Sequence, residues 1–355
     1  MGNSSKGFYF DFIGNRKIAF IVSIVTIVLG IGSLVFKGGF NLSIDFAGGT
    51  LVEIRFSDLP EVDKIRSAMD SAGFKEVVIQ RVGDEHTVLI RVPNPEPVAG
   101  KGGEEAGQDM GKKILTALQP TVGDTKLEVR RIEQIGPQVG DELKRSAQLS
   151  LLFAIAGMIL YIAWRFEAKF AWPIAIIGLA TIGVSTWNVG ITLVIIAALI
   201  VLLIACVFFD YHFSFAAIIA LVHDVFVTVG ALSLMNYEMN LTVVAAILTI
   251  IGYSVNDTIV IFDRIRENLR LMRGKPTIQI LNDSVNQTLS RTLLTGMTTI
   301  FCVSIFLWLG GPAIKGFSFA MLIGIITGTY SSVFVATPIL YVWDKAVKGG
   351  IFKKA

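Results

Sequence analysis

The stretch LTIIGYSVNDTIVIFDRIRENLR, Leu248 to Arg270, decides how this chain is read. It starts as an apolar helix, sets Asn256 and Asp257 side by side among isoleucines and valines, and ends in a cluster of charges. An ionised carboxylate is costly in apolar surroundings, so its presence there asks for a reason. Tyr253, Asp257, Val260 and Arg264 share one helical face, which turns that face toward neighbouring helices and leaves the rest to lipid. Asp257 lies six residues before Asp263, about 9 Å deeper at 1.5 Å of rise per residue.

Working outward, the chain has 355 residues, 53% of them hydrophobic and only 17% charged. Soluble domains carry about 25% charged residues, so this balance describes a polytopic membrane protein. A net charge of +3 is too small for a nucleic-acid binder, and no segment interleaves basic and aromatic residues as such a binder does. The two cysteines, Cys206 and Cys302, both fall in apolar runs and read as buried packing residues rather than a disulfide. Arg16 and Lys17 precede about twenty apolar residues, long enough to span and longer than the core of a secretory signal. The run reads as an uncleaved first helix.

Apolar runs fall at 17–36, 147–164, 170–187, 189–209, 213–235, 241–262, 292–310 and 317–342, which predicts about eight spans. Arg16, Lys17, Arg165, Lys169, the loop DRIRENLRLMRGK and the tail DKAVKGGIFKK flank them, and the positive-inside rule assigns these ends to the cytoplasm. An even number of spans then places both termini, 1–16 and 343–355, in the cytoplasm, and segment 37–146 outside. The bundle proper is 147–342. Within it, KPTIQILNDSVNQTLSR has Pro276 in a first-turn position and predicts an amphipathic cytoplasmic helix at about 276–290, lying at the interface before the next span.

Segment 37–146 has the character of a small α/β domain. TLVEIRF alternates with period two, as a half-buried strand does. LPEVDKIRSAMDSAGF reads as a helix between Pro60 and Gly73. KEVVIQRV and HTVLIRV read as strands joined by GDE, GEEAGQDMGKKILTALQ as a helix, and TKLEVRRIEQI as a last strand. The order βαββαβ matches a ferredoxin-like arrangement. VPNPEPVAGKGG is a Gly/Pro-rich loop, not a phosphate cradle.

Ionisable residues inside the spans are the default functional candidates. Arg291 opens the span after Asp257 in SRTLLTGMTT, with Thr295 and Thr298 near its face. Asp257 and Arg291 sit on consecutive helices entering from the same side. Burial opposes the charge of Asp257 and Arg291 supports it; a carboxylate under opposing influences can exchange a proton and release its partner. The competing reading makes Asp257 and Asn256 a buried polar packing site and lets Arg291 snorkel to the headgroups. Asp224, in ALVHDVFVTVG, has nothing of opposite charge near it in sequence; His223 beside it does not share its helical face. Gly324 and Gly328 read as close helix packing, and SVNDT at 254–258 recurs as SVNQT at 284–288. The three histidines, His86, His212 and His223, form no H-E-x-x-H, and neither G-x-S-x-G nor G-x-x-x-x-G-K-[ST] is present. The sequence predicts no enzyme, no cofactor and no metal.

IDFAGGT after the first span, YIAWRFE after the second, ALVHDV, AAILTIIGYSVNDTIVIFDRIRENLR, LNDSVNQTLSRTLLTGMTT, GGPAIKGFSFAMLIGIITGTYSS and ATPILYVW together resemble the SecF family of the bacterial Sec protein-export machinery, within the RND superfamily. The matches run in order from about residue 40 to residue 343. The resemblance implies an RND-like helical bundle in the cytoplasmic (inner) membrane. It also implies a SecD homologue as partner, the SecYEG channel beside it, a translocating polypeptide as cargo, and the proton-motive force as energy source. It makes Asp257 and Arg291 the proton-pathway residues; the spans themselves add Asp224, Asn256, Tyr253 and Thr295 as candidate supporting polar groups. The chain departs from the family pattern in an extra apolar hairpin at about 170–209. A lipid or small-molecule exporter of the same superfamily is the second reading, and a structural assembly factor the third.

Overall fold

An apolar run that enters a membrane must satisfy its backbone internally, and helix is the local way to do so. The computed structural model describes residues 9–74, 77–81, 85–93, 103–122, 127–167 and 191–346. In chain order the elements are α1 (Arg16–Phe36), α2 (Ile44–Ala47), β1 (Gly49–Phe56), α3 (Val62–Ser71), β2 (Val78–Arg81), β3 (Thr87–Val92), α4 (Gly103–Val122) and β4 (Leu127–Ile135). There follow α5 (Pro137–Glu167), α6 (Ile191–Phe208), α7 (His212–Leu234), α8 (Leu241–Leu271), α9 (Thr277–Leu309), α10 (Pro312–Ser331), a π-helical turn (Ser332–Ala336) and α11 (Thr337–Ala346).

Among the described residues, six helices are long and apolar enough to cross a membrane: α1, α5, α7, α8, α9 and the run from α10 through α11. Of the expected extra hairpin, the arm at 170–187 lies outside the described residues. The arm at 189–209 contains α6, Ile191–Phe208, 18 residues without a charged side chain. It packs through Leu202 and Cys206 onto Ile159 and Ala163 of α5 and Ile218 of α7. α7, α8 and α10 form the centre of the bundle, sharing Ala216, Ala220, Ile247, Ile250, Val255 and Ile325 in one apolar core. Phe166, Phe213 and Phe262 lock α5, α7 and α8 together, with ring centroids 5.2–5.7 Å apart. Cys206 is buried as expected, whereas Cys302 is exposed on the outside of α9, and neither forms a disulfide.

The expected close packing at Gly324 and Gly328 is present. A Cβ on Gly324 would fall 2.4 Å from the Ile250 side chain, and one on Gly328 3.0 Å from Ser254. α8 and α10 therefore touch almost backbone to backbone, along the turn that carries Ser254 and Asp257.

Four antiparallel strands form one sheet in the order β2-β3-β1-β4. The connectivity is βαββαβ, and α3 and α4 cover one face through Ile65, Met69, Ile114 and Leu118 against Val52, Ile54 and Phe56. Alternation predicted a half-buried β1, but seven of its eight residues are buried. It is a central strand, so Glu53 lies between Leu89 and Arg131 of its two neighbours and is shielded there. Gly48 and Gly49 turn the chain into β1 with φ of 69° and 126°. A Cβ on Gly49 would lie 2.6 Å from the Val92 carbonyl oxygen, so both conformation and space demand glycine.

Two features at the opposite end of the bundle depart from expectation. The amphipathic segment 276–290 is not a separate interfacial helix; it is the first half of α9, a continuous helix of 33 residues with no Pro or Gly to break it before Gly296. The reason lies in the second feature: the chain before α1 is not a free tail but a strap laid across that half of α9. The Asn286 side chain accepts from Phe10 N at 3.0 Å and donates to Phe10 O at 2.9 Å. Asn282 accepts from Ile13 N at 3.0 Å and donates to Asp11 Oδ1 at 2.6 Å. Ile13 is fully buried, Phe12 packs edge-on to Phe334, and the Arg16 guanidinium lies over the Tyr341 ring at 4.8 Å. The polar side chains that look solvent-directed in the sequence are thus partners of a backbone. Removing one of these bonds costs about 1 kcal/mol, so the double variant Asn282→Ala/Asn286→Ala is expected to raise amide hydrogen exchange at Phe10 and Ile13 by about tenfold or more. Unchanged exchange would show that the apolar contacts alone hold the strap.

Candidate functional site

α8 is positioned from both ends. At its start the Asn240 side chain caps Val243 N at 2.8 Å, and Asp45 Oδ2 accepts from Leu241 N at 2.9 Å. At its far end Asp263 pairs with Arg165 of α5 at 2.5 Å, while Arg264 holds Gln287 of α9 and Glu267, each at 2.6 Å. Between these polar ends the helix buries Ser254, Val255, Asp257, Thr258 and Ile261.

Asp257 is 3% exposed, and its Oδ2 has no hydrogen-bond partner. Thr329 of α10 faces it, and the Thr329 hydroxyl is likewise buried without a well-formed hydrogen bond. Arg291 of α9 acts on Asp257 electrostatically and is itself exposed on the rim of the bundle. Tyr253 reaches across the same helix pair, its hydroxyl donating to Thr295 O at 3.2 Å and lying 3.4 Å from Thr299 Oγ1. Tyr253 and Thr295 therefore meet directly between α8 and α9, with Asp257 one turn along α8 and Arg291 one turn along α9. Thr295 contributes its carbonyl there; its hydroxyl bonds back to Arg291 O and Thr292 O. Asn256 is exposed, on a different face from the carboxylate that follows it, because consecutive helical residues diverge by about 100°.

Asp224 belongs to a separate cluster, one turn earlier along α8 at Ser254. It is fully buried and accepts hydrogen bonds from Ser254 of α8 and, at 2.7 Å, from Ser331 of α10. His223 also contacts it, Nδ1 lying 2.9 Å from Oδ1. The sequence expectation that His223 and Asp224 point apart is corrected here. Their Cβ atoms diverge, but the imidazole folds round the helix far enough for its near nitrogen to meet the carboxylate. Ser254, Ser331 and Thr329 escaped the sequence reading. The available signal was their position: each lies within three residues of a glycine or an acid on a central helix.

The sheet meets the bundle around the α7–α8 loop. Met239 N donates to Asn41 O at 2.7 Å, and Ser43 N donates to Met239 O at 3.0 Å. Arg91 of β3 donates to Leu42 O and lies 3.9 Å from Glu238 Oε1. Burial pushes the Glu238 carboxyl above the ordinary glutamate range; Arg91 draws it down and Asp45 raises it again. A raised folded-state value means that the proton binds more tightly in the folded junction. The stabilisation is then full below the unfolded value of 4.5 and is lost as pH rises through the folded one. Glu238→Gln is expected to raise the thermal midpoint at neutral pH and to flatten its decline between acid and neutral pH. A variant with the wild-type pH profile would mean that another group carries the dependence.

Comparisons with known proteins bear on both ends of this arrangement. The family model for the C-terminal part of SecD/SecF protein export membrane proteins matches residues 114–186 and 177–346, breaking inside the stretch 170–209. The SecD/SecF GG motif model matches residues 33–58, the segment that leaves α1, joins the α7–α8 loop and turns through Gly48 and Gly49. The chain is 35% identical to the protein translocase subunit SecF of Pseudomonas aeruginosa, over 94% of this chain and 90% of that one. It is 38% identical to SecF of Calditerrivibrio nitroreducens over 93% of each. Among solved structures it is similar to SecDF of Thermus thermophilus, a translocon-associated membrane protein, with a TM-score of 0.69 and 30% identity. The match covers 97% of this chain and 40% of that longer one. A SecDF structure in a super-membrane-facing form is matched with a TM-score of 0.57 and 30% identity, over 98% of this chain and 40% of that one. The family models thus account for the glycine turn and the central helices together, and relatives of nearly equal length carry one name: the chain belongs to the SecD/SecF family of protein-export membrane proteins, as a SecF-type translocase subunit.

Proposed function

We propose that this subunit uses the proton-motive force to promote protein export across a bacterial cytoplasmic membrane, acting with a SecD-type partner beside the SecYEG channel. The observation that carries the reading is Asp257: a carboxylate almost wholly buried between central helices, with one oxygen unpartnered and one guanidinium in electrostatic reach. A buried polar atom left without a partner is costly; a site that binds and releases a proton spends part of its cycle in that state. Asp257 and Arg291 are the proton-pathway pair, and Tyr253 and Thr295 hold the α8–α9 contact one helical turn from each of them.

The topology that goes with this function has both termini in the cytoplasm and segment 37–146 outside, as a ferredoxin-like domain. The extra hairpin at about 170–209 brings the spans to eight, and adding a pair leaves every later helix in its orientation. Movement reaches the outer domain through the bridge at Leu42 and Met239 and the Arg91–Glu238 contact, both of which sit on the loop at the start of α8. The SecDF neighbours, whose chain is more than twice as long as the match, support a second half supplied by a separate protein. The translocating polypeptide is the cargo.

The experiment is export by proteoliposomes holding the channel, the SecD-type partner and this subunit, with and without an uncoupler. Stimulation that needs the subunit and disappears on uncoupling is the expected result. Stimulation that persists without a gradient would overturn the reading and return the subunit to a role in assembly.

A further inference from the structure

Asp224 is buried as deeply as Asp257 and is no part of the Asp257–Arg291 pair. Its two oxygens are engaged differently. Oδ2 takes the hydroxyls of Ser254 and Ser331, whereas Oδ1 faces only His223 Nδ1, at 2.9 Å. An ionised carboxylate offers acceptors alone, so Nδ1 carries the hydrogen of that contact. The lone pair of the neutral ring is then on Nε2. His223 is 6% exposed, and Nε2 is buried with no hydrogen-bond partner.

One oxygen saturated by two hydroxyls, the other oriented on an imidazole, and a bare nitrogen beyond it leave one place for an added proton. Placed on Asp224, the proton would meet three donors. Placed on Nε2, it brings the buried pair from a net charge of −1 to zero, the cheaper state in apolar surroundings. We propose that His223 and Asp224 form a second proton-holding pair of the bundle, in which His223 Nε2 gains and loses the proton while Asp224 stays ionised and fixes the ring. The inference rests on the gradient-coupled reading above and extends it.

The geometry links this pair to Asp257. Ser254 lies one helical turn before Asp257 on α8, and Ser331 follows Thr329 by two residues on α10, so the same two helices hold both carboxylates. From α10 the Tyr330 ring also stacks on His223, with centroids 6.0 Å apart. Its hydroxyl donates to Ala19 O at 2.8 Å and receives Ser23 Oγ of α1 at 3.3 Å. Among the described residues, His223 is the titratable group in contact with Asp224, and Tyr330 of α10 is the titratable group stacked on His223. A change in the charge of the pair is therefore felt by Ser254 and Ser331, in the contact that also encloses Asp257.

The chain contains three histidines, so His86→Gln/His212→Gln leaves His223 as a sole reporter. Nitrogen-15 NMR of the full-length subunit with its SecD-type partner in bilayers is expected to show a neutral Nδ1–H ring at alkaline pH. At acid pH it is expected to show imidazolium, and that signal should be lost in Asp224→Asn. A ring that stays neutral throughout, a neutral Nε2–H tautomer, or an imidazolium signal indifferent to Asp224→Asn would each overturn the proposal. Should Asp224→Asn fail to assemble, the titration without it and His223→Gln carry the test. In export assays His223→Gln is expected to lose the pH dependence of gradient-stimulated export; a wild-type pH profile in that variant also overturns the proposal. Asp257→Asn separates the two levels, because full stimulation in that variant overturns the parent reading and leaves the NMR result standing by itself.

Discussion

Asp257→Asn is expected to reduce gradient-stimulated export to the level seen without the subunit, while the subunit still assembles with its partner. Asparagine has nearly the shape of aspartate and keeps an acceptor oxygen for Thr329, but it cannot exchange a proton. The substitution removes a buried ionisable group whose Oδ2 has no hydrogen bond, so the folded bundle loses little. Its cost is within about 1 kcal/mol, since replacing an unsatisfied polar atom forfeits no bond. Arg291→Gln works in the opposite sense: it leaves the carboxylate without its compensating charge, so it is expected to weaken both export and the bundle. The measurement is export into vesicles under an imposed gradient, with co-purification of the partner as the control for assembly. Stimulation that survives intact in Asp257→Asn would make the carboxylate a packing group.

Asp257 could be singled out in the sequence because a charge in an apolar run is a local anomaly that needs no tertiary knowledge. The same holds for the spans, which length and hydropathy reveal, and for the strands of the sheet, which alternation reveals. What hydropathy does not carry is the facing of one helix on another. Asp224 finds Ser254 thirty residues away and Ser331 at a separation of 107, and nothing local announces either. Serine and threonine are ambiguous in apolar helices, because most of them bond back to their own chain. Thr327, for instance, donates to Ile323 O and Gly324 O, whereas Ser331 reaches across to a carboxylate. The strap was illegible for a related reason. Asn282 and Asn286 look like a solvated helix face, and only the folded chain shows that the backbone of Phe10 and Ile13 takes the place of water. The helix-packing glycines divide in the same way. Gly324 and Gly328, four residues apart on one helix, advertise themselves as a small-xxx-small pair. Gly30 and Gly230 do not, since neither has a second glycine four residues away on its own helix.

Gly230→Leu is expected to be among the most damaging substitutions in the bundle, although it touches no ionisable residue. A Cβ on Gly230 would lie 2.6 Å from Gly30 Cα, and one on Gly30 2.7 Å from Gly230 Cα. Backbone cannot rotate away as a side chain can, so α1 and α7 must separate. With them go the Ser33–Ser233 hydrogen bond of 2.9 Å and the bond from Lys37 Nζ to Ser233 O at 2.5 Å, one turn farther along. Overpacking of this kind costs about 1–3 kcal/mol or more, and the two bonds add about 1 kcal/mol each. Gly32 is the matched control, on the same helix as Gly30 with nothing within 4 Å of an added Cβ. Thermal unfolding in detergent should show Gly230→Leu melting well below wild type, and Gly32→Leu close to it. Equal melting of the two would mean that the α1–α7 approach is not a point of stability. The consequence for function follows from the chain itself. α1 leads into the segment that carries Gly48 and Gly49 and joins the α7–α8 loop at Met239, so a displaced α1 uncouples the sheet from the helices around Asp257. Gly230→Leu should therefore lose gradient-stimulated export with Asp257 and Arg291 intact, the result expected if the first helix transmits the proposed movement to the sheet.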